Sequence, residues 1–277
     1  MYYIKNTLTL RKGIYMQKAG LGILVLLPFI LVFSGCGQII ASSANLQPEY
    51  EVHISTPNEE ANELYYTIYW YKHWVDLGYS PTLPDNPVIN SLRDKALAGG
   101  SFTDTDKANV VQVVRDELYN ESDYQQTYAA VMNVLPTANE QVLSLLRYKE
   151  KWGFVMPHKY MVKLSFYTFA SGGTYSANEE GVLGIHAYEN ETRRPDQILA
   201  TLYHETIHYG IDRIISKEYD IPNWTNERIV DQFVYLHFKV TPTQWYSFFV
   251  DRSIDVIFRE PDVLDHLPTR VREFLGR

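Results

Sequence analysis

From Pro195 to Ile215 apolar residues recur at Ile198, Leu199, Leu202, Ile207, Ile211, Ile214 and Ile215, which is a helical period, and Pro195 stands where a first turn accepts proline. Inside that helix lies His204-Glu205-Thr206-Ile207-His208. Side chains four apart share one helical face, so the two imidazoles can meet at one ion, and Glu205, next to the first, can reach a water held there. The plain alternative makes both histidines packing or surface residues. The ion-binding reading is the more demanding, because a fold must leave this face open and bring further ligands to it.

The rest of the chain reads as α+β. Helical spacing is expected over 59–77, with Asn58 as a possible cap, and again over 86–97, 104–119, 122–135 and 139–152, separated by Pro, Gly and Asn. Aromatic residues in the first of these (Tyr65, Tyr66, Tyr69, Trp70, Tyr71, Trp74) could form a carbohydrate or lipid platform, but at helical spacing they read as core. After Gly153 the pattern changes: 160–169 alternates and is rich in β-formers, stopping at Ser171-Gly172-Gly173, and a second short strand is expected over 182–188. Helices follow from Pro195, over 223–238, 242–257 and 261–274. A mainly helical N-terminal part over 58–153 thus precedes a short sheet, the His-Glu-x-x-His helix and a helical C-terminal part, together 154–277.

Two histidines and a base do not complete a catalytic zinc site, which usually has three protein ligands and one open position. Neither the glycine and histidine of the extended metzincin pattern nor the inverted His-x-x-Glu-His order is present, since Ile211 and Ile214 occupy the first two places. Nineteen residues after His208, on the next expected helix, stands Asn226-Glu227-Arg228-Ile229-Val230-Asp231. Over 203–233 the chain therefore resembles the gluzincin branch of the zincin metallopeptidases, the thermolysin-like and aminopeptidase-like enzymes. The resemblance implies one Zn2+ ion held by His204, His208 and Glu227, with Asp231 orienting the ring of His204. Asp212, Glu218 and Asp220 are rival third ligands, and Glu227 could instead be a solvated first-turn acid.

The same resemblance implies Glu205 as general base, a peptide or protein as substrate, and Tyr219, between the ligand helices, as oxyanion donor; the alternatives are a zinc hydrolase of non-peptide amides or esters and a binding or assembly lipoprotein with a vestigial or structural zinc site. Tyr235 and His237 are alternatives for that donor. With 22 tyrosines in the chain, any one of them is more often packing. The strand within 181–188 is expected at a sheet edge, where an extended substrate can add its backbone, or else inside the sheet with no ligand. His186 on that strand reads as structural.

The N-terminus carries a different signal. Lys5, Arg11, Lys12 and Lys18 precede an apolar run of thirteen residues, 21–33, followed by Ser34-Gly35-Cys36. A membrane-spanning helix needs ~20 residues. Residues 1–35 thus read as an export signal, with Met16 an alternative start, and Val32-Phe33-Ser34-Gly35-Cys36 resembles a bacterial lipobox with phenylalanine in place of the usual leucine. This implies lipidation of Cys36 and a membrane partner, with 36–57 as a polar tether; an ordinary signal peptide or a short anchor helix with an incidental thiol is the alternative. Loss of four cations would leave 21 basic against 33 acidic residues, a net charge near −12, which disfavours nucleic acid as partner. Cys36 is the sole cysteine, so no internal disulfide can form.

Overall fold

In a computed structural model, the structure is described for residues 47–169, 172–242 and 249–276. Cys36, the export signal and most of the tether lie outside the described residues.

Four strands make one sheet in the order β1-β2-β4-β3: β1 (Glu49–Ile54), β2 (Lys159–Ser165), β3 (Gly173–Tyr175) and β4 (Val182–His186). The first, second and fourth are parallel, and β3 runs antiparallel to β4. Strand β2 forms because its β-formers alternate. Tyr160, Val162 and Leu164 are buried while Lys159 and Met161 face water.

Two expectations are corrected here. Residues 49–54, assigned to the tether, are an edge strand: Glu49 and Glu51 point outward, and Tyr50 stacks on Tyr160 with centroids 5.1 Å apart. The strand expected at an edge, β4, is interior, with β2 on one side and β3 on the other. The edge belongs to β3, whose first residue, Gly173, lies in the triplet that reads in sequence as a strand terminator.

Helices α1 (Pro57–Tyr69), α2 (Tyr71–Asp76), α3 (Pro87–Leu97) and α4 (Asp104–Val113), with a π-helical turn at Val114–Leu118, enclose a small apolar core of Ala61, Leu64, Ile68, Ile89, Leu92, Val110, Val113 and Val114. Thr56, rather than Asn58, caps α1, by a reciprocal box with Glu59. Of the aromatics expected in this core, Tyr65 packs against it partly buried. Leu64 and Ile68 define the buried stripe, leaving Tyr66, Tyr69 and Trp70 exposed.

Helix α5 (Gln125–Val142) runs unbroken through Pro136, where two helices were expected, and α6 (Leu146–Trp152) follows after a short 3-10 turn. Pro136 sits on the water-facing side, beside exposed Met132 and Asn133, so the carbonyl it leaves unbonded can be hydrated while Val131, Val134, Leu135, Ala138 and Val142 keep the helix buried. Helices α7 (Pro195–Ile211) and α8 (Asn223–Phe238) match the sequence reading to the residue at their starts, and α7 continues in a π-helical turn to Ser216. The C-terminal segment is a 3-10 helix at Arg252–Arg259 and α9 (Leu267–Phe274).

The sheet, α5 to α9 and the C-terminal segment share one large core. Helix α7 packs on β3 and β4 and is crossed by α5 and α8. Tyr50 on the far edge strand shares a buried 2.7 Å hydrogen bond with Thr206, tying the sheet to the middle of α7.

Candidate metal centre

Helices α7 and α8 are apolar enough to be buried on most of their surface, so the polar residues they carry need partners inside the protein. Those partners are one another. His204 Nε2 and His208 Nε2 lie 3.0 Å apart, and Glu227 Oε2 is 3.1 Å from the first and 3.2 Å from the second. All three side chains are buried. Among the described residues this is the one cluster of His, Cys, Asp and Glu whose ligand atoms could share an ion.

The spacing tests the fit. Ligands about 2.0–2.1 Å from a tetrahedral ion stand roughly 3.3 Å from each other, and the three observed separations are 3.0–3.2 Å. Two imidazole nitrogens and one carboxylate oxygen converge on one point. A cation satisfies all three at once.

Each outer nitrogen has a polar neighbour. His204 Nδ1 lies 3.2 Å from Asp231 Oδ1, and the Asp231 carboxylate is fully buried. A carboxylate beside Nδ1 favours a proton there, which would leave Nε2 for an ion. Around His208, Asn226 Nδ2 lies 3.3 Å from Nδ1, and Asn226 Oδ1 accepts from Ser216 Oγ at 2.7 Å. The Tyr175 ring lies flat on His208, 5° between planes and 5.2 Å between centroids.

Electrostatics follow from burial. Desolvation opposes charge on His204, but the Asp231 and Glu227 carboxylates hold its pKa well above the usual imidazole value. Burial likewise pushes Glu227 up, and the two imidazoles more than reverse it, holding the carboxyl far below its usual range. Glu205 comes out raised, because desolvation outweighs the pull of His204 and His208.

A cavity of about 290 Å³ opens onto this group. One wall is His204, Glu205, His208 and Glu227; the facing wall is Gly173 to Tyr175 of β3 together with Trp74, Tyr79 and Phe169. Gly173 has to be glycine. A Cβ there would stand 2.7 Å from Thr201 Cγ2 and 2.9 Å from Glu205 Oε1, so only a bare backbone lets β3 lie against the acid. A larger depression along α4, about 510 Å³, is open and holds none of these ligands.

Of the residues singled out in the sequence, His204, Glu205, His208, Glu227 and Asp231 come together. The rival ligands stand apart: Asp212 accepts from Tyr175 at 3.0 Å and pairs with Lys217 at 2.6 Å, and Glu218 and Asp220 are exposed. Tyr219 packs partly buried against the large core and does not line the cavity, whereas Tyr79 and Tyr175 do. His237 bonds Ser144 at 2.6 Å and Tyr148 at 3.1 Å, and burial lowers its pKa to about 4; Tyr235 is exposed. His186 is half-buried on β4 near Thr168, with its pKa lowered by burial to about 4. Neither lines the metal cavity.

Tyr79, Tyr175, Asn226 and Gly173 are site residues that sequence reasoning did not select. Asn226 alone had a signal, its place beside Glu227 on the same helical turn. Comparison with protein-family models, with curated proteins and with solved structures gives no significant match to this chain. The site therefore stands on its own geometry: a buried His-His-Glu group with His-Glu-x-x-His spacing, on a helix that follows a short mixed sheet.

Proposed function

We propose that the protein is a zinc-dependent peptidase, anchored to the bacterial cell envelope through lipid on Cys36. The observation that carries the catalytic half is the position of Glu205: it shares the cavity with all three candidate ligands and touches the edge strand. A purely structural ion has no use for a fourth, non-ligating acid at an open cavity.

A bound divalent ion would polarise the scissile carbonyl and make water acidic enough to attack at neutral pH. The chain's own part is to orient and to move protons. Asp231 keeps the His204 imidazole turned inward through its Nδ1 atom, and the Tyr175 ring stacked on His208 holds the second. Glu205 takes a proton from the attacking water on a carboxylate oxygen and returns it to the departing amine nitrogen; its raised pKa suits an acid that must do both.

Strand β3 offers the means of holding an extended chain. The pairing of Thr174 with Gly184 uses alternate residues, so the N–H and C=O of Gly173 and Tyr175 point to the unpaired edge. A peptide laid there as an added strand would be gripped by its backbone beside Glu205.

The test is to incubate the purified full chain with a peptide library, with and without Glu205→Gln. Cleavage that needs zinc and vanishes in the variant supports the reading; cleavage unchanged by the variant refutes the assigned base. The anchor rests on the apolar run and Cys36, and Cys36→Ser should release the protein or leave its signal uncut. Normal membrane retention of that variant would overturn it.

A further inference from the structure

Helix α2 ends at Asp76, and the next three residues turn the chain toward the cavity. Gly78 adopts φ +91°, a left-handed conformation that other residues enter only with strain, and Tyr79 N–H then bonds back to Trp74 O at 2.9 Å. The turn is moored to α8: Trp224 Nε1 donates to Leu77 O at 2.9 Å, and the Trp224 ring stacks on Tyr79 at 5.2 Å. Phe169 closes edge-on from the other side at 5.5 Å. Boxed in this way, the phenol has one place to go.

Its hydroxyl lies 3.3 Å from Glu227 Oε1, the oxygen that does not face the histidines, and accepts from Asn223 Nδ2 at 3.1 Å. Asn223 occupies a lone pair of the phenol, which directs the phenol's proton to Glu227. We infer that Tyr79 is a positioning residue for the metal site: by bonding Oε1 it presents Oε2 to the ion, so the N-terminal helical part, through one turn, completes a centre whose ligands all lie more than a hundred residues later. This rests on the metal-site reading above but not on the reaction. The bond is longer than the ~2.8 Å usual for O–H···O, which places its effect at the low end of the 10- to 100-fold range known for groups that hydrogen-bond a metal ligand.

The experiment is zinc affinity of the full chain by competition with a chromophoric chelator, together with the visible absorption of the Co2+-substituted protein. Tyr79→Phe, folded by circular dichroism, should bind zinc about 10-fold more weakly and shift the cobalt bands. Asn223→Ala, which leaves the ring in place and frees its proton, should move both readouts the same way by less, and it serves as the test should Tyr79→Phe fail to fold. Tyr66→Phe, on the exposed face of α1, should match the wild type. Weaker metal binding in Tyr79→Phe, in a wild type that cleaves no peptide, would support this inference and count against the peptidase reading alone. Unchanged affinity and unchanged cobalt bands in a folded Tyr79→Phe would overturn it. A wild type that takes up no metal would overturn both.

Discussion

The two cores of the molecule handle polarity in opposite ways. The buried residues of the small N-terminal core are aliphatic, with Tyr65, Phe102, Tyr119 and Tyr167 packed around them, and its one buried acid, Glu60, sits at the seam, accepting from Ser165 Oγ at 3.0 Å and from the backbone N–H of Phe166 and Tyr167 at 2.8 and 2.9 Å. The large core surrounds a whole cluster of buried acids and imidazoles, each aimed at another. Aliphatic packing alone stabilises a fold. A stack of charged groups kept in the interior of one core, and absent from the other, marks where binding or chemistry has been given precedence over stability.

If that division is right, the largest effect belongs to Glu205. Glu205→Gln should cost 10²- to 10⁴-fold in peptide hydrolysis while metal content and melting temperature hold; a variant that loses metal as well would make Glu205 a ligand, not a base. Next, Leu64→Ala, at a fully buried position in the small core, should cost ~2–5 kcal/mol in denaturant unfolding yet leave the folded protein with its full complement of zinc. Loss of zinc from folded protein would mean the two cores are not separable in function.

The seam gives a pH signature. Burial raises Glu60 to about 7, so the folded state keeps a proton that the unfolded state releases near pH 4.5. Its contribution is complete below the unfolded pKa and is lost as pH rises toward the folded one. Glu60→Gln should remove that slope, changing the stability difference between the two proteins by roughly 3 kcal/mol at most across pH 4.5 to 7, measured by urea unfolding at several pH values. Equal slopes would place Glu60 in a wetter setting. The smallest effect on folding should come from Asp231→Asn, which preserves shape and weakens zinc binding 10- to 100-fold; unchanged affinity would leave His204 oriented by something else.

How much of this the sequence reveals depends on how each element earns its place. Helices α7 and α8 are legible because each carries an apolar stripe long enough to define its own period, and the ligands ride on them at fixed spacing. Strand β1 is hidden because an edge strand with Glu49 and Glu51 outward looks like polar linker. Strand β3 is hidden because its glycine answers to Glu205, a contact across the fold, and three residues carry no period. Which strand takes the edge depends on the order of all four, and no strand states that in its own residues. Tyr79 is the furthest from view: one of many tyrosines, in no motif, brought to Glu227 by the backbone turn at Gly78 and by Trp224 far along the chain.

The central claim is that two imidazoles on α7 and one carboxylate on α8 share an ion. Elemental analysis of the purified full chain, beside Glu227→Ala, tests it most directly. One equivalent of zinc in the wild type and loss of most of it in the variant is the expected result. Either a wild type with no stoichiometric metal, or a Glu227→Ala protein that keeps its full equivalent, would contradict it.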